Sequence, residues 1–385
     1  MAFNEAQKRA IRHTDGPALV LAGPGSGKTT VITNRVRYLT EKVGVEPGNI
    51  LVITFTRAAA REMKERYERI TGTGCSRVSF GTFHSVFFMI LKLAYRYQAS
   101  NIVKEEQRIQ FIREQLDRTD LEIEDEGEFI ASVLSEISLI KGELMSLDNY
   151  YAKSCSQTVF KELYEGYEGC LRKQGLLDFD DMLAMCYELF KERKDILQAW
   201  QRKYKYILID EFQDINRIQY EIVKMLALPE NNLFIVGDDD QSIYRFRGAR
   251  PELMLGFEKD YSDAERILLD VNYRCVDPVI ESAGKLIACN KTRFPKEIHG
   301  NRGKGCPVFI KEWPDPLAET KAITEELRDY HKMGIAYEDM AVLYRTNQGP
   351  RLLIERMMEY NIPFHMRDTV PNLYEHWISR NVFCY

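Results

Sequence analysis

The chain has 385 residues, of which 45% are hydrophobic, and a formal net charge of -5. This length and hydrophobic content allow a large core spread over two or three domains, and they exclude an intrinsically disordered chain. The charge gives no overall basic signature, so evidence for nucleic-acid binding has to come from local groups of residues.

The cysteines and the apolar runs predict the compartment. The eight cysteines have no CxxC spacing and no short secreted scaffold around them, which predicts reduced thiols. The amino terminus has no apolar signal segment, and the longest apolar run, at residues 86–91, is far too short to cross a bilayer. We therefore expect a soluble, cytoplasmic protein with no membrane partner.

Four short apolar runs, each followed by a helical pattern, predict strands at residues 18–22, 50–55, 206–210 and 233–237. This alternation is typical of βαβ units and a mainly parallel sheet, and hence of an α/β fold. Between the second and third runs the apolar residues take helical spacing. The sequence thus predicts a discontinuous first domain with a helical insertion, over the ranges 1–88 plus 200–275 and 89–199 respectively.

The remaining residues, 276–385, are expected to begin another unit. Two apolar runs at 308–313 and 340–345 predict strands, and they flank a helix that starts near Leu317. No internal repeat or low-complexity tract is visible.

The segment AGPGSGKTT, residues 22–30, follows a predicted strand and precedes a predicted helix, which is the context of a phosphate loop. Glycines let the backbone wrap a phosphate, and the N–H groups at the helix start attract its charge. Lys28 is placed to contact the β- and γ-phosphates of a nucleotide, and Thr29 to ligate Mg²⁺. The predicted nucleotide-binding residues of this loop are Gly23, Pro24, Gly25, Ser26, Gly27, Lys28, Thr29 and Thr30.

The segment IDEFQD, residues 209–214, ends the third predicted strand. Two adjacent acids at a strand end are costly unless a cation pairs with them. Asp210 is therefore a candidate Mg²⁺ ligand, and Glu211 a candidate general base for the attacking water.

The segment GDDDQSIYRFRGAR, residues 237–250, joins a polar cluster to aromatic and basic side chains. Its first half leaves a predicted strand at the edge where open α/β sheets bind ligands. Its second half supplies Tyr244, Phe246 and Arg247, and aromatic residues interleaved with basic ones suit single-stranded nucleic acid. We predict contacts to both a nucleotide and a nucleic acid here.

In order and spacing, these three motifs resemble those of the UvrD/Rep-like branch of superfamily 1 DNA helicases, and further matches cover most of residues 3–364. The resemblance implies a RecA-like P-loop NTPase sheet with an inserted all-helical domain, followed by the start of a second RecA-like domain. It also implies ATP and Mg²⁺ as cofactors, single-stranded DNA and single-strand/duplex junctions as partners, and unwinding coupled to movement from 3′ to 5′.

The resemblance assigns further roles at the nucleotide. Gln7 in FNEAQKRAI would contact adenine, Tyr273 in VNYR would stack on it, and Arg274 and Gln241 would contact the γ-phosphate. Without the family, Gln7 would be a surface residue, and Tyr273 and Arg274 ordinary strand-end residues. Arg35 is predicted to be a surface or structural residue. The implied catalytic residues are Lys28, Asp210, Glu211, Gln241 and Arg274.

The resemblance also implies a DNA-binding side. Phe55 would lie under a base, with Thr56 and Arg57 near phosphates. The chain departs from the family pattern at Arg57-Ala58, where Asn-Lys is usual, and at Phe246, where Trp is usual. The implied DNA-binding residues are Phe55, Thr56, Arg57, His84, Phe179, Tyr244, Phe246, Arg247, Arg345 and Asn347.

Other functions stay open from the sequence. One is a non-catalytic module that binds ATP and single strands, another is a subunit of a helicase-nuclease, and a third is a P-loop enzyme such as a nucleotide kinase. Nothing after residue 275 resembles the family's later motifs, which include an arginine that reaches the γ-phosphate. We therefore expect these 385 residues alone to have little DNA-stimulated ATPase activity and no unwinding activity.

Overall fold

A computed structural model gives the fold of the protein. The structure describes residues 3–72, 74, 76–119, 121–245, 248–346, 349–367 and 382. The chain divides into two compact units, Met1–Pro307 and Val308–Tyr385.

The first unit is built on a six-stranded sheet in the order β3-β2-β4-β5-β1-β6, in which every neighbouring pair is parallel. A two-stranded parallel pair, β7 and β8, lies apart from it. The strands are β1 (Ala18–Ala22), β2 (Ile50–Thr54), β3 (Ser79–Thr82), β4 (Tyr206–Ile209), β5 (Leu233–Gly237), β6 (Glu265–Leu269), β7 (Val271–Asn272) and β8 (His299–Gly300).

Helices connect the strands and cover the sheet. Those of the first unit are α1 (Glu5–Arg12), α2 (Lys28–Tyr38), α3 (Arg57–Thr71), α4 (Phe83–Tyr95), α5 (Glu105–Leu116), α6 (Glu126–Gly142), α7 (Gln157–Gln174), α8 (Phe179–Glu192), α9 (Lys194–Lys203), α10 (Arg217–Ala227), α11 (Pro251–Leu255), α12 (Phe257–Asp260) and α13 (Asp277–Ile287). The second unit has α14 (Pro316–Lys332) and α15 (Arg351–Glu359).

The sheet separates two hydrophobic cores, because successive side chains of a strand point to opposite faces. In β1, Leu19 and Leu21 face the core formed with α4 and α8 to α12. Val20 and Ala22 face the core formed with α1 to α3. Strands buried on both faces are apolar throughout, which is why the sequence predicted them. The prediction of an α/β fold with a parallel sheet is confirmed.

The residues from α4 to α9 contribute no strand to the sheet in the part of this region that the structure describes. Helices α5, α6 and α7 pack around a core of their own that includes Phe111, Ile137, Phe160 and Tyr167. This separate core indicates that the helical segment is stabilised by its own packing as well as by the sheet.

The strands predicted at 308–313 and 340–345 are wrong. Neither run forms a strand, and Ile310 and Leu343 are each 93% exposed. A strand requires a hydrogen-bonded partner, and the described residues of the second unit contain no strand that could pair with them. The helix predicted between them is present and begins at Pro316.

Two sequence expectations concern the whole chain. The six described cysteines, Cys155, Cys170, Cys186, Cys275, Cys289 and Cys306, are all free thiols. Within the described ranges, every helix is too short or too polar to cross a bilayer.

Candidate nucleotide and nucleic-acid site

Glycines shape the loop between β1 and α2. Gly25 and Gly27 have φ angles of 66° and 87°, in the left-handed region that other residues rarely adopt. Gly27 is the N-cap of α2 and supplies no side chain to cap it. The first N–H groups of the helix are therefore available to an anion, and the predicted residues 23–30 have the geometry of a phosphate-binding loop.

Lys28 begins α2 and forms an ion pair with Glu211, with Nζ lying 2.8 Å from Oε2. Glu211 follows β4 and has a φ of 51°, which is uncommon for a residue other than glycine. It precedes a short 3-10 turn, Phe212–Asp214. The structure thus brings together the two side chains that the sequence assigned to the phosphates and to the attacking water.

Asp210 is buried beside this pair. The residue is 5% exposed, and among the described residues no donor reaches its buried Oδ1. Burial and the neighbouring Glu211 raise the pKa of Asp210 to about 7, although Lys28 partly opposes the shift. An ionised carboxylate in such a place needs a cation.

Thr29 and Asp210 line one cavity. Hydroxyl and carboxylate oxygens are the ligands that Mg²⁺ prefers, in combination with water and substrate phosphates. Asp214, in the same cavity, also has a buried Oδ1 without a described partner, and burial raises its pKa to about 6. These oxygens fit the predicted Mg²⁺ ion.

Gln7 lies against the phosphate loop. Its Nε2 donates to the carbonyl of Ser26 at 3.0 Å, and its Oε1 accepts from the backbone of Asn4 at 3.2 Å. The residue is 6% exposed, so the interpretation of Gln7 as a surface residue is wrong. A rigid amide at this point can present a fixed hydrogen-bonding edge to a ligand.

Tyr273 and Arg274 follow β7 and reach the same loop. The backbone N–H of Tyr273 donates to the carbonyl of Gly25 at 3.0 Å, and its hydroxyl accepts from Asn4 at 3.1 Å. The Arg274 side chain is exposed. A Cβ added to Gly25 would lie 2.6 Å from the Arg274 Cβ, so the two segments are in close contact.

Gln213 connects Glu211, which follows β4, to the end of β5, and no role was predicted for it from the sequence. Its Nε2 donates to Glu211 at 2.8 Å, and its Oε1 accepts from the backbone N–H of Asp238 at 3.0 Å. Asp238 in turn accepts from Nε2 of Gln241 at 2.7 Å. The predicted base and the predicted phosphate sensor are therefore joined by a continuous chain of hydrogen bonds. The available signal was its place inside IDEFQD.

Phe55 and Tyr244 stack on each other, with ring centroids 5.6 Å apart and an interplanar angle of 17°. Phe55 follows β2, and Thr56 caps α3 by accepting from the N–H of Ala59 at 3.1 Å. Arg57 is the first residue of α3 and is exposed. Parallel strands end at one edge of the sheet, so these residues lie at the edge that carries the phosphate loop.

His84 and Phe179 form a second aromatic pair, edge to face, with centroids 5.3 Å apart. The Phe179 ring is 45% exposed. Burial, and then the charge of Arg57, lower the pKa of His84, while Asp178 opposes this. His84 therefore stays neutral near neutral pH and offers a ring for contact rather than a charge.

One cavity of about 380 Å³ joins the two groups of residues. Its lining includes Thr29, Asp210 and Glu211 on one side, and Phe55 and Tyr244 on the other. Gln241 lines it as well. The carboxylates and the aromatic pair therefore share one cavity.

Some predicted residues do not join this arrangement. Phe246, Arg247 and Asn347 lie outside the described residues. Arg345 belongs to the second unit and is exposed. Arg35 is buried, with its guanidinium 4.2 Å from the centre of the Phe234 ring, so it is a structural residue and not a surface one.

Two family models match successive parts of this chain. Residues 3–262 match the family model described as the UvrD/REP helicase N-terminal domain, and residues 267–385 match that of the UvrD-like helicase C-terminal domain. The chain is 39% identical over 392 residues to the protein YjcD of Bacillus subtilis (strain 168), covering 100% of this chain and 51% of that protein.

A second relative is the ATP-dependent DNA helicase PcrA of Staphylococcus aureus, at 37% identity over 372 residues. The match covers 94% of this chain and 50% of that helicase. The chain therefore spans about half the length of the curated relatives that it matches.

Proposed function

Because the chain belongs to the UvrD/REP helicase family, we propose that it binds ATP with Mg²⁺ together with single-stranded DNA, as the motor part of an ATP-dependent DNA helicase. In the whole protein, ATP hydrolysis would drive movement from 3′ to 5′ along a single strand and open the duplex at a junction. The observation that supports this most directly is the cavity shared by Asp210, Glu211, Gln241, Phe55 and Tyr244.

The nucleotide residues divide the chemistry among them. The phosphate loop and Lys28 bind the phosphates, while Thr29 and Asp210 would hold Mg²⁺, which when bound neutralises phosphate charge. Nucleotide phosphates compete with Glu211 for Lys28, so binding opens the 2.8 Å ion pair. The released Glu211 carboxylate then accepts a proton from the attacking water.

Contacts at the rim complete the nucleotide site. Gln7 and Tyr273 would bind adenine, and the exposed Arg274 would reach the γ-phosphate. The adenine assignment is supported by the hydrogen bonds that attach Gln7 and Tyr273 to the loop. An arginine at a transferring phosphoryl group stabilises the charge that develops there.

The DNA side uses stacking in place of base-edge contacts. The Phe55–Tyr244 and His84–Phe179 pairs present aromatic rings, and the exposed Arg57 supplies a positive charge for phosphates. Every base has a face that can stack, so this surface would bind single strands with little sequence preference.

Binding assays on the 385-residue chain test the proposal. Labelled oligo-dT and a mixed-sequence oligonucleotide would be titrated with the unaltered chain, with Phe55→Ala, and with Tyr151→Ala, a control whose side chain is 85% exposed. Phe55→Ala loses one stacking contact, which is worth about 1–3 kcal/mol. Its affinity should therefore be about 5- to 150-fold lower for both oligonucleotides. The control should bind as the unaltered chain does.

Two further assays measure nucleotide binding and duplex unwinding. A fluorescent ATP analogue should bind with Mg²⁺, and unwinding by the whole protein should require a 3′ and not a 5′ single-stranded tail. Absence of both nucleotide and single-strand binding would overturn the proposal. Binding of both ligands with no turnover in the whole protein would favour a non-catalytic module.

A further inference from the structure

A buried lysine lies among the three aspartates that follow β5. The Nζ of Lys296 is 2.5 Å from Asp238 Oδ1, 2.5 Å from Asp239 Oδ1 and 2.9 Å from Asp240 Oδ2. The Lys296 side chain is 1% exposed. It does not line the cavity that holds Gln241, so it acts on that cavity only through other residues.

The segment around Lys296 binds the aspartates at two more points. Arg293 makes a two-pronged contact with Asp240, at 2.7 and 2.6 Å. The backbone N–H of Phe294 donates to Asp239 at 2.8 Å, and the Phe294 ring is buried in the core. Residues 293–296 therefore clamp all three carboxylates from a position well after the sheet's last strand.

This clamp continues to the predicted phosphate sensor. Asp238 receives Lys296 on Oδ1 and the Gln241 side chain on Oδ2, the latter at 2.7 Å. The backbone N–H of Gln241 also donates to the carbonyl of Asp238 at 2.9 Å. The orientation of the Gln241 amide thus depends on Asp238, which Lys296 and Gln213 fix from two sides.

Electrostatics make the clamp necessary. Three neighbouring carboxylates repel one another, and burying them without cations is strongly unfavourable. Burial alone would lower the pKa of Lys296, but the three carboxylates outweigh burial and raise it. Lys296 therefore remains charged at neutral pH and offsets part of the negative charge of the three aspartates.

We propose that Lys296, assisted by Arg293, is a positioning residue that holds the 238–241 loop so that Gln241 faces the nucleotide cavity. This inference rests on the proposed function, since the ligand that Gln241 would sense is a nucleotide phosphate. The competing explanation is that the cluster only stabilises the fold.

Hydrogen exchange of the 385-residue chain separates the two explanations. The variants are Lys296→Met, the charge-conserving Lys296→Arg, and the control Lys291→Met, an exposed lysine in the same segment. In Lys296→Met, amides 238–245 should exchange about tenfold faster or more, while those of β1 and β4 keep their protection. Lys296→Arg should recover part of the protection, and the control should match the unaltered chain.

Adding ATPγS with Mg²⁺ tests the link to the nucleotide. Residues 23–30 should gain protection in every variant, whereas 238–245 should gain it in the unaltered chain and the control but not in Lys296→Met. Equal gains at 238–245 in all variants would overturn the inference and leave the proposed function standing. No gain at 23–30 in the unaltered chain would instead refute the proposed function, and the inference with it.

A loss of folding in Lys296→Met calls for a milder change. Arg293→Gln alters a side chain that is 17% exposed and leaves Lys296 in place. It should raise exchange at 238–245 in the same way but less strongly. Faster exchange spread equally over the whole sheet in Arg293→Gln would show a purely structural role and contradict the proposal.

Discussion

Lys28 and Glu211 form an ion pair at the candidate nucleotide site, with 2.8 Å between Nζ and Oε2. The lysine begins α2, directly after β1, and the glutamate follows β4, so the ion pair links the ends of two strands that have β5 between them. In the proposed function, nucleotide phosphates would attract Lys28 and release the Glu211 carboxylate for the attacking water.

Replacing Lys28 separates nucleotide turnover from DNA binding. Lys28→Ala removes the positive charge of the candidate phosphate site, and we expect ATP turnover by the whole protein to fall by at least about 100-fold. The affinity for single strands should change by less than about twofold, because Lys28 belongs to neither the Phe55–Tyr244 nor the His84–Phe179 pair. ATPase assays and oligonucleotide titrations measure the two effects.

The control for this prediction is Lys42→Ala, an exposed lysine beyond α2. It should leave both measurements unchanged. Turnover that persists in Lys28→Ala would show that the phosphate site has been misassigned.

Acid should weaken the fold through His84. Burial lowers the pKa of His84 below the ordinary 6.5, so between these two values the unfolded chain binds more protons than the folded one. The free energy of unfolding is therefore not reduced by His84 above about pH 6.5, and it declines as the pH falls toward the folded-state pKa. The neutral variant His84→Gln should reduce the loss of melting temperature between about pH 7 and pH 5 by about 2 °C or more.

The groups around His84 are charged or aromatic. They are Arg57, which disfavours the charged ring, Asp178, which favours it, and the Phe179 ring. His365→Gln, at an exposed histidine, is the control and should leave the pH dependence unchanged. Identical pH profiles for His84→Gln and the unaltered chain would show that His84 is not the titrating group. His13, whose pKa burial also lowers, accounts for part of the remaining dependence.

The central strands could be predicted from the sequence and the edge strands could not. β1, β2, β4 and β5 are buried on both faces and hence apolar throughout. β3 and β6 are the two edges of the sheet. β3 contains Gly81, and β6 begins with Glu265 and Arg266, so neither shows the apolar run of a central strand.

Some residues of the candidate site could likewise be predicted from the sequence, and others could not. Residues whose chemistry is encoded within one short motif, such as Lys28 and Asp210, could be predicted from that motif. Lys296 could not, because its partner Asp238 lies 58 residues earlier in the chain. Charge complementarity between DDD and the later RFPK was visible in the sequence, but many basic segments could have satisfied it.

A methyl group at Gly25 should disturb the contact between the 23–30 loop and the Asn272–Arg274 segment. Gly25→Ala adds a Cβ that would lie 2.6 Å from the Arg274 Cβ and 2.8 Å from Asn272 Oδ1, at a φ of 66°. We expect nucleotide affinity to fall by about tenfold or more and stability by about 1–2 kcal/mol. Gly16→Ala is the matched control, because Gly16 has a φ of 83° and nothing within 4 Å of an added Cβ.

The two glycines separate backbone strain from contact. Both substitutions should cost stability, measured by urea unfolding, while only Gly25→Ala should weaken binding of a fluorescent nucleotide. Equal nucleotide affinity in the two variants would mean that the contact between the loop and the Asn272–Arg274 segment is unimportant for binding.

Arg250 and Glu143 attach the end of the segment at residues 237–250 to the helical segment. Arg250 lies before α11, and Glu143 is the C-cap of α6. The guanidinium contacts both carboxylate oxygens, at 2.9 and 2.8 Å, and the Glu143 side chain is 7% exposed. Two-pronged pairs of this kind are among the stronger ion pairs, although the Arg250 side chain is 37% exposed and solvent weakens the attraction.

A double-mutant cycle measures this attachment. Glu143→Gln and Arg250→Gln should each destabilise the chain in urea unfolding, and the double variant by less than their sum, with a coupling of about 1 kcal/mol. Arg245 and Glu252, whose side chains are 72% and 49% exposed, give a matched cycle at a more exposed pair. That cycle should show coupling below about 0.5 kcal/mol. Additive effects at Arg250 and Glu143 would mean that this ion pair does not contribute measurably to the attachment.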